Sequence, residues 1–289
     1  RYLKAIFPGL KIFGKFQGTI LGPFVDRDDF EEYVKKNYKL EAWAMPLAKY
    51  LDGAIMTNDG TNGDLVLDRY GLRPEAVLFI PNGVDSRILS ARDEVVSASF
   101  DMLRFDEQQI VTASVSRLVG WKRVPGVIGA VDKAIECGAN IRHIVIGGGT
   151  SSDVASVQSA IQRSSNPKRI TYLGALAFED VVDSLKNVDV LISAYAETNI
   201  CNPVFEAIAL GIPVLTIESE PLRLVLGDAA EACFFIDPSC SEDVWRLLKE
   251  QLAALSRPEI VKRRKFLLKQ LPFSWKRRGQ AELSFIRGL

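Results

Sequence analysis

Residues 193–216, SAYAETNICNPVFEAIALGIPVLT, predict the end of a strand, a polar loop, a short helix and a second buried strand. Asn202 is of a type favoured at helix N-caps, Pro203 then falls at the first helical position, and Gly211 lies just past the helix end. This strand, helix and strand are one repeat of a pattern that continues along much of the chain.

Glu206 is the only charged residue between Asn199 and Ile217, in an otherwise apolar helix. Burying a lone carboxylate costs several kcal/mol, roughly, unless another group pairs with it. We therefore expect a partner for Glu206, beside a helix N-terminus whose free N–H groups attract anions. The alternative is a water-exposed glutamate stabilised by the helix dipole.

From Gln109 onward, apolar strands alternate regularly with amphipathic helices. Such alternation predicts a parallel sheet covered on both faces, which is a doubly wound α/β domain whose ligands bind at the carboxyl ends of the strands. In addition to the elements of residues 193–216, the predicted strands are QIVTASVS, RHIVIGG, ITYLG, VDVLISA and ACFFID. The predicted helices are VPGVIGAVDKAIECG, SDVASVQSAIQ, FEDVVDSLKN, PLRLVLGD and SEDVWRLLKEQLAAL.

The part before Gln109 is also α/β but shorter. Its predicted strands are IFGKFQG, GAIMTN and AVLFIPNG, and its predicted helices are FEEYVKKNYKLEAWAMPLAKYL and TNGDLVLDRYG. Residues 86–107 contain no clear strand and are predicted to bridge two domains. The chain begins at Arg1 without a signal-peptide pattern and enters strand-like sequence at once, which suggests a start partway through a domain.

Composition limits the possible functions. The 289 residues are 47% hydrophobic and 25% charged with zero formal net charge, which is typical of a soluble globular protein and argues against wholesale nucleic-acid binding. No uncharged apolar run reaches the length of a membrane span. The four cysteines have no metal-ligand spacing and indicate reduced thiols in a cytoplasmic protein, and the single His143 is predicted to be structural.

Two loops after predicted strands contain candidate binding groups. In SRLVGWKR, Arg117 and Lys122 occur in a stretch without acidic residues, and an arginine and a lysine beside a helix start suit a diphosphate. The alternative for this loop is a solvated basic surface. Gly147, Gly148 and Gly149 follow the next strand, where glycines allow backbone N–H groups to approach a ligand, although this motif is weak alone.

Together, SRLVGWKRV, HIVIGGG, ITYLG and ETNICNPVFEAIALGIPVL resemble the donor-binding domain of retaining glycosyltransferase family 4, which has the GT-B fold. The upstream IPNGVD resembles the family's turn near the end of its first domain. The resemblance implies two Rossmann-like domains facing a cleft, with the N-terminal one incomplete. We divide the chain into a partial acceptor-side domain (residues 1–92), a donor-binding domain (93–271) and a C-terminal helix packing back toward the first domain (272–289).

The resemblance implies a retaining transferase that moves a sugar from a nucleotide sugar to a glycan, lipid or small-molecule acceptor, without a metal. Arg117 and Lys122 match the residues that grip the donor diphosphate, and Glu206 matches the glutamate that binds the ribose hydroxyls. The remaining donor-side matches are Gly147, Gly149, Tyr172, Thr198, Asn199, Ile200, Cys201 and Asn202.

Two departures from the family pattern concern the sugar. The family's paired glutamates have seven residues between them, whereas Glu197 and Glu206 have eight, so either Glu197 reaches the sugar from a longer loop or Thr198 replaces it. The family's first-domain histidine corresponds to Gln17, which can hydrogen-bond a hydroxyl but cannot act as a general base. These departures keep two alternatives open: a non-catalytic binding or assembly subunit, and another GT-B activity such as nucleotide-sugar epimerisation or hydrolysis.

Basic residues are concentrated near the two ends of the chain. Residues 260–289 contain nine Lys or Arg and one acid, and the first 25 residues contain four basic and no acidic residues. With Phe266, Leu267, Phe273 and Trp275 among them, these segments could touch anionic lipid at the inner face of the membrane. The favoured alternative is a solvated C-terminal helix.

Overall fold

The computed structural model describes residues 6–97, 109–237 and 243–288. The chain divides into two compact units, one formed by residues 1–83 with 273–289 and the other by residues 84–272. In the parts of the chain that the structure describes, no helix has the length and apolar character needed to cross a membrane.

The second unit is built on a six-stranded parallel sheet whose strands are β4 (Ile110–Val115), β5 (Ile141–Ile146), β6 (Ile170–Gly174), β7 (Val190–Ser193), β8 (Val214–Ile217) and β9 (Phe234–Ile236). These strands lie in the order β6-β5-β4-β7-β8-β9. This is the doubly wound arrangement that the sequence predicts, and the α/β fold class is confirmed.

Eight helices of this unit lie within the described ranges: α4 (Ser86–Ser97), α5 (Val124–Glu136), α6 (Ser151–Arg163), α7 (Phe178–Lys186), α8 (Asn202–Ala209), α9 (Glu220–Leu226), α10 (Val244–Ala253) and α11 (Arg257–Leu267). The two central strands, β4 and β7, are buried at all but one position because both faces of the sheet are covered. Val190 and Ile192 pack into one hydrophobic core, Leu191 packs into the core on the other face, and all three are at most 1% exposed.

Strand order places a topological switch point between β4 and β7. These two strands pair through Thr112 with Val190 and Ala113 with Leu191, whereas the sheet grows away from them in opposite directions. Loops after neighbouring strands diverge at such a point and leave a crevice at the carboxyl ends. The segment after β4 and the segment after β7 therefore flank one crevice.

The first unit contains a three-stranded parallel sheet, β1 (Phe13–Phe16), β2 (Gly53–Thr57) and β3 (Val77–Ile80), as predicted. Its other elements include α1 (Phe30–Asn37), α2 (Lys39–Ala44), α3 (Gly63–Arg69) and α12 (Trp275–Gly288). The single long helix predicted over residues 30–51 is wrong. Tyr38 leaves the helical region with φ −133° and ψ 70°, and a 3₁₀ segment with a proline in its first turn, Met45–Tyr50, follows α2.

Helix α12 joins the first unit through a buried arginine. Arg278 is 1% exposed and donates to the Pro81 carbonyl (2.9 Å), to Asn82 Oδ1 (2.7 Å) and to Thr57 Oγ1 (3.0 Å). These acceptors lie at or just after the carboxyl ends of β2 and β3, so the C-terminal helix is held by the strand ends of this small sheet.

Helix α4 belongs to the second unit, so the division between the units falls at residues 83 and 84. Arg92, in α4, donates to the Ala209 carbonyl (2.6 Å) and to the carbonyls of Leu268 (2.6 Å) and Gln270 (2.7 Å). This arginine therefore satisfies acceptors just at or beyond the C-terminal ends of α8 and α11. The remainder of the predicted bridging segment, residues 98–107, lies outside the described residues.

His143 is a buried core residue, as predicted. It is 0% exposed, with Nδ1 2.8 Å from Thr112 Oγ1 and Nε2 3.3 Å from Ser114 Oγ, and burial lowers its pKa to about 3. The ring therefore stays neutral near pH 7 and links β4 to β5. Cys137, Cys201 and Cys233 are free thiols, and Cys240 lies outside the described residues.

Candidate functional site

The candidate site lies where the segments after β4 and β7 meet. The Ala196 N–H donates to the Trp121 carbonyl over 2.9 Å and joins the two segments. After β4 the chain passes through a 3₁₀ turn, Gly120–Lys122, and Arg123 adopts a left-handed conformation (φ 53°) before α5 begins. This sharp turn brings Lys122 back against the sheet instead of letting it extend into water.

Lys122 is a buried cation, with 7% of its surface exposed. Its Nζ lies 3.9 Å from the ring centroid of Trp121 and 3.5 Å from that of Tyr195. Among the described residues it forms no ion pair with a carboxylate. Burial, which is the largest effect, and the neighbouring Arg117 lower the pKa of Lys122 to about 8, against upward effects of Cys201 and Glu197. The solvated alternative is therefore wrong for this lysine.

Arg117 lies in the same loop with its side chain exposed. It too lacks an ion pair with any residue that the structure describes. Two cations without internal counter-ions thus occupy one loop at the carboxyl end of the central strand. An arginine fork and a lysine point charge in this position can bind an anionic group.

The glycine loop after β5 packs against the segment after β4. Gly147 has φ 147°, and a Cβ there would lie 1.7 Å from the Ser116 carbonyl oxygen. The Leu118 N–H donates to the Gly148 carbonyl (2.8 Å), and the Tyr172 hydroxyl donates to the Gly147 carbonyl (2.9 Å). Gly149 is also tight, since a Cβ would approach Leu118 Cβ to 3.0 Å. The close approach that these glycines permit is therefore first of all between two segments of the protein.

The segment after β7 is organised by Asn199, which is 5% exposed. Its Oδ1 accepts hydrogen bonds from Ser193 Oγ (2.8 Å) and from the Tyr195 N–H (3.1 Å). Thr198 Oγ1 accepts from the Ile200 N–H (3.1 Å), and the Ile200 side chain is buried in the core. The predicted binding loop is thus held by its own side chains, and the Glu197 side chain beside it is exposed.

Helix α8 begins one residue earlier than predicted. The N-cap is Cys201, with extended backbone angles and a carbonyl that accepts from the Val204 and Phe205 N–H groups, so Asn202 is the first helical residue. The prediction of Asn202 as N-cap is wrong because the buried segment ending at Ile200 determines where the helix begins. Gly211 follows the helix end with φ 76°, as predicted.

Glu206 is half-buried, and no ion pair or side-chain hydrogen bond reaches its carboxylate from the described residues. Burial, and to a smaller extent the negative charge of Asp85, raise the pKa of Glu206 to about 7. The expected protein partner is therefore absent from the described residues, and the acidic neighbour makes the charge costlier. A carboxylate in this state can accept hydrogen bonds from a ligand.

Gln17 is the one predicted site residue in the first unit. It lies directly after β1 with its side chain exposed, and Gly18 follows with φ 99°. Sequence reasoning missed Trp121, Tyr195 and Asp85 as neighbours of the site. Three features of the sequence could have indicated them: an aromatic residue next to Lys122, a tyrosine shortly after a buried strand, and the acidic residue that ends IPNGVD.

Residues 96–264, more than half of the chain, match the family model described as glycosyl transferases group 1. The chain belongs to this family. No curated protein sequence matches this group 1 transferase chain.

Solved structures share the fold of this group 1 transferase chain. HepE from Anabaena, in complex with UDP-glucose, has TM-score 0.64 and 18% identity, covering 99% of this chain and 75% of that chain. WaaG, a glycosyltransferase involved in lipopolysaccharide biosynthesis, has TM-score 0.62 and 18% identity over 93% of this chain and 76% of that chain. A UDP-forming α,α-trehalose-phosphate synthase from Burkholderia vietnamiensis has TM-score 0.62 and 14% identity, covering 92% of this chain and 67% of that chain. The predicted GT-B fold is confirmed.

Proposed function

We propose that this chain transfers a sugar from a nucleotide-sugar donor to an acceptor hydroxyl, with retention of anomeric configuration and without a metal. The observation that carries the proposal is the pair Arg117 and Lys122. Both cations follow the central strand at the switch point, and neither forms an ion pair with a described residue. A nucleotide sugar presents a diphosphate that such a pair can bind.

The main requirement of this reaction is to stabilise the negative charge that develops on the leaving group. The bond between the anomeric carbon and the diphosphate oxygen breaks, and its electron pair goes to the departing nucleotide. Cations fixed in advance near that oxygen stabilise this developing charge without reorganising. Retention follows if the acceptor oxygen attacks from the same face and its proton passes to the departing phosphate. Arg117 and Lys122 then lower the barrier directly.

Glu206 is proposed to accept hydrogen bonds from the ribose hydroxyls. Its carboxylate lacks a partner among the described side chains, and burial raises its pKa to about 7. Two hydroxyl donors would stabilise the ionised form and lower that pKa again. Donor contacts by Gly147, Gly149 and Tyr172, and by the backbone of residues 198–202, belong to the same proposal.

Glu197 is proposed as the residue that contacts the sugar. Its side chain is exposed, whereas the Thr198 hydroxyl accepts a hydrogen bond within its own turn. Glu197→Ala is expected to reduce kcat about tenfold or more and leave nucleoside diphosphate affinity unchanged, while Thr198→Ala changes kcat less than about threefold, since a hydrogen bond to a charged group contributes about 1.5–3 kcal/mol. The reverse order would assign the sugar contact to Thr198.

Uridine nucleotides are the first donors to test, because HepE was solved with UDP-glucose and the trehalose-phosphate synthase is described as UDP-forming. The acceptor is proposed to be a glycan, a lipid or a small molecule, with Gln17 on the acceptor side, in the cytoplasm. Membrane contact through the C-terminal basic segment has weaker support. Arg264 and Arg278 in that segment are buried, and Arg263 donates to the Cys233 carbonyl.

Turnover of nucleotide sugars tests the proposal. Release of nucleoside diphosphate is measured with each donor, with and without acceptor mixtures, and the anomeric configuration of the product is assigned by NMR. Lys122→Ala should lower turnover about 10²–10³-fold, as loss of one group stabilising a leaving charge does. Lys168→Ala, which removes an exposed lysine from the turn before β6, is the matched control. Equal turnover in both variants would contradict the assigned role of Lys122.

The same assay distinguishes the alternatives. Diphosphate release without acceptor indicates hydrolysis, and a changed sugar without release indicates epimerisation. Binding of a nucleotide sugar without any turnover would support a non-catalytic binding or assembly subunit.

A further inference from the structure

The Lys122 ammonium is bounded by two aromatic rings that meet almost at right angles. The rings of Trp121 and Tyr195 have centroids 5.8 Å apart and an interplanar angle of 84°. Both centroids lie within 4 Å of Nζ, well inside the range in which a ring face attracts a cation. We call this pair of rings the aromatic corner.

The aromatic corner is fixed by hydrogen bonds from both segments. The Tyr195 hydroxyl donates to the Val115 carbonyl (3.2 Å), at the end of β4, and the tyrosine is 4% exposed. The Tyr195 N–H is held by Asn199 Oδ1, and the Trp121 carbonyl by the Ala196 N–H. The Tyr195 ring therefore cannot move away without breaking its hydrogen bond to β4, and the hydrogen bond at the Trp121 carbonyl holds the backbone that carries the second ring beside the segment after β7.

Two aromatic rings beside the Lys122 ammonium affect its charge differently from a salt bridge. A carboxylate beside Lys122 would hold the ammonium but would also neutralise its field toward an incoming anion. Ring faces attract the ammonium through their quadrupoles and carry no net charge. The lysine is thus held in place while its full positive charge remains available.

We propose that Tyr195 and Trp121 are positioning residues that keep the Lys122 ammonium charged and directed toward the donor diphosphate. The proposal rests on the proposed function for its ligand, while the effect on Lys122 itself is independent of any ligand. The other titratable groups near Lys122 are Arg117 in its own loop, Glu197 after β7, and Cys201 before α8. None of these is changed in the variants below.

The titration of Lys122 tests the proposal without a nucleotide. In protein with ¹³C-labelled lysine, the Cε shift of Lys122 is followed against pH, and Lys122→Met identifies its signal. The native midpoint is expected near pH 8. Tyr195→Phe keeps the ring face and should keep this midpoint, whereas Tyr195→Leu should lower it by about 0.5–1 pH unit because the charged form loses a favourable contact.

Trp121→Leu is the second variant, because Trp121 is half-buried and its replacement disturbs the core less than that of Tyr195. It should lower the midpoint in the same direction. Midpoints in Tyr195→Leu and Trp121→Leu that equal the native one would overturn the proposal. If Tyr195→Leu does not fold, Trp121→Leu alone decides.

Binding of UDP adds a measurement that a purely structural role would not affect. At pH 7.5 the leucine variants should bind UDP about 1.5–3-fold more weakly than native protein, and at pH 6.5 this deficit should shrink because Lys122 is then mostly charged in all of them. A deficit that is the same at both pH values would contradict the claim that the two rings keep Lys122 charged. If native protein does not bind UDP, the proposed function fails for uridine nucleotides, while the midpoints still decide the present inference.

Discussion

At the scale of single residues, Glu206 and Lys122 both carry charge at a cost to stability. Burial disfavours the charged form of each, raising the pKa of Glu206 to about 7 and lowering that of Lys122 to about 8. Groups held charged in a half-buried crevice without internal counter-ions are typical of binding sites. The free-energy cost of burying these two charges is offset when a ligand brings an opposite charge to Lys122 and hydrogen-bond donors to Glu206.

Glu206→Gln should therefore stabilise the ligand-free protein. The glutamate titrates near 4.5 in the unfolded chain and near 7 in the folded one, so the folded chain binds more protons between these values. The free energy of unfolding then falls as pH rises from about 4.5 to 7. At pH 8 the variant should be more stable than native by about 1–3 kcal/mol in urea denaturation, with no difference at pH 4. A less stable variant at pH 8 would contradict this account.

The affinity for a nucleotide sugar should pass through a maximum between about pH 7 and 8. Below this range Glu206 is protonated and no longer accepts from both ribose hydroxyls, and above it Lys122 loses its charge. Calorimetric titration with UDP-glucose from pH 6 to 9 measures the profile. Glu206→Gln should remove the acidic limb and Lys122→Met the alkaline limb. A flat native profile would show that neither group contacts the donor.

At the scale of elements, the glycine loop after β5 should be the least tolerant of substitution. Gly147→Ala combines a φ of 147° with a Cβ 1.7 Å from the Ser116 carbonyl oxygen, so β5 and the segment after β4 must separate. We expect a loss of about 2–4 kcal/mol in the free energy of unfolding. Gly129→Ala is the control, because it lies inside α5 with open space around it and should stabilise by up to about 1 kcal/mol. Equal effects would contradict the packing argument.

The elements of the second unit were largely predictable because their apolar strands and amphipathic helices alternate. Val190, Leu191 and Ile192 already indicate a strand buried on both faces. The start of α8 and the break at Tyr38 were not predictable, since tertiary contacts determine them. In the site, the loop with Arg117 and Lys122 was predictable because it directly follows a predicted strand. The aromatic corner was not predictable, because it forms only when β4 and β7 are neighbours in the sheet, and the order of strands in the sheet cannot be read from the sequence.

At the scale of the whole molecule, the chain joins a larger unit with a six-stranded sheet to a smaller unit with a three-stranded sheet. The family match covers residues 96–264 and so lies within the larger unit. The proposed role of this unit is to recognise a diphosphate through Arg117 and Lys122 at its switch point. This role involves one unit alone and can be tested without knowledge of the acceptor.

Calorimetry of uridine and UDP at pH 7.5 tests it most directly. We expect native protein and the control Lys168→Ala to bind UDP at least about tenfold more tightly than uridine, since each charge-assisted contact is worth about 1.5–3 kcal/mol. This preference should be lost when Arg117 and Lys122 are both replaced by alanine, while uridine binding persists through Glu206. An undiminished preference for UDP in the double variant would contradict the proposed role.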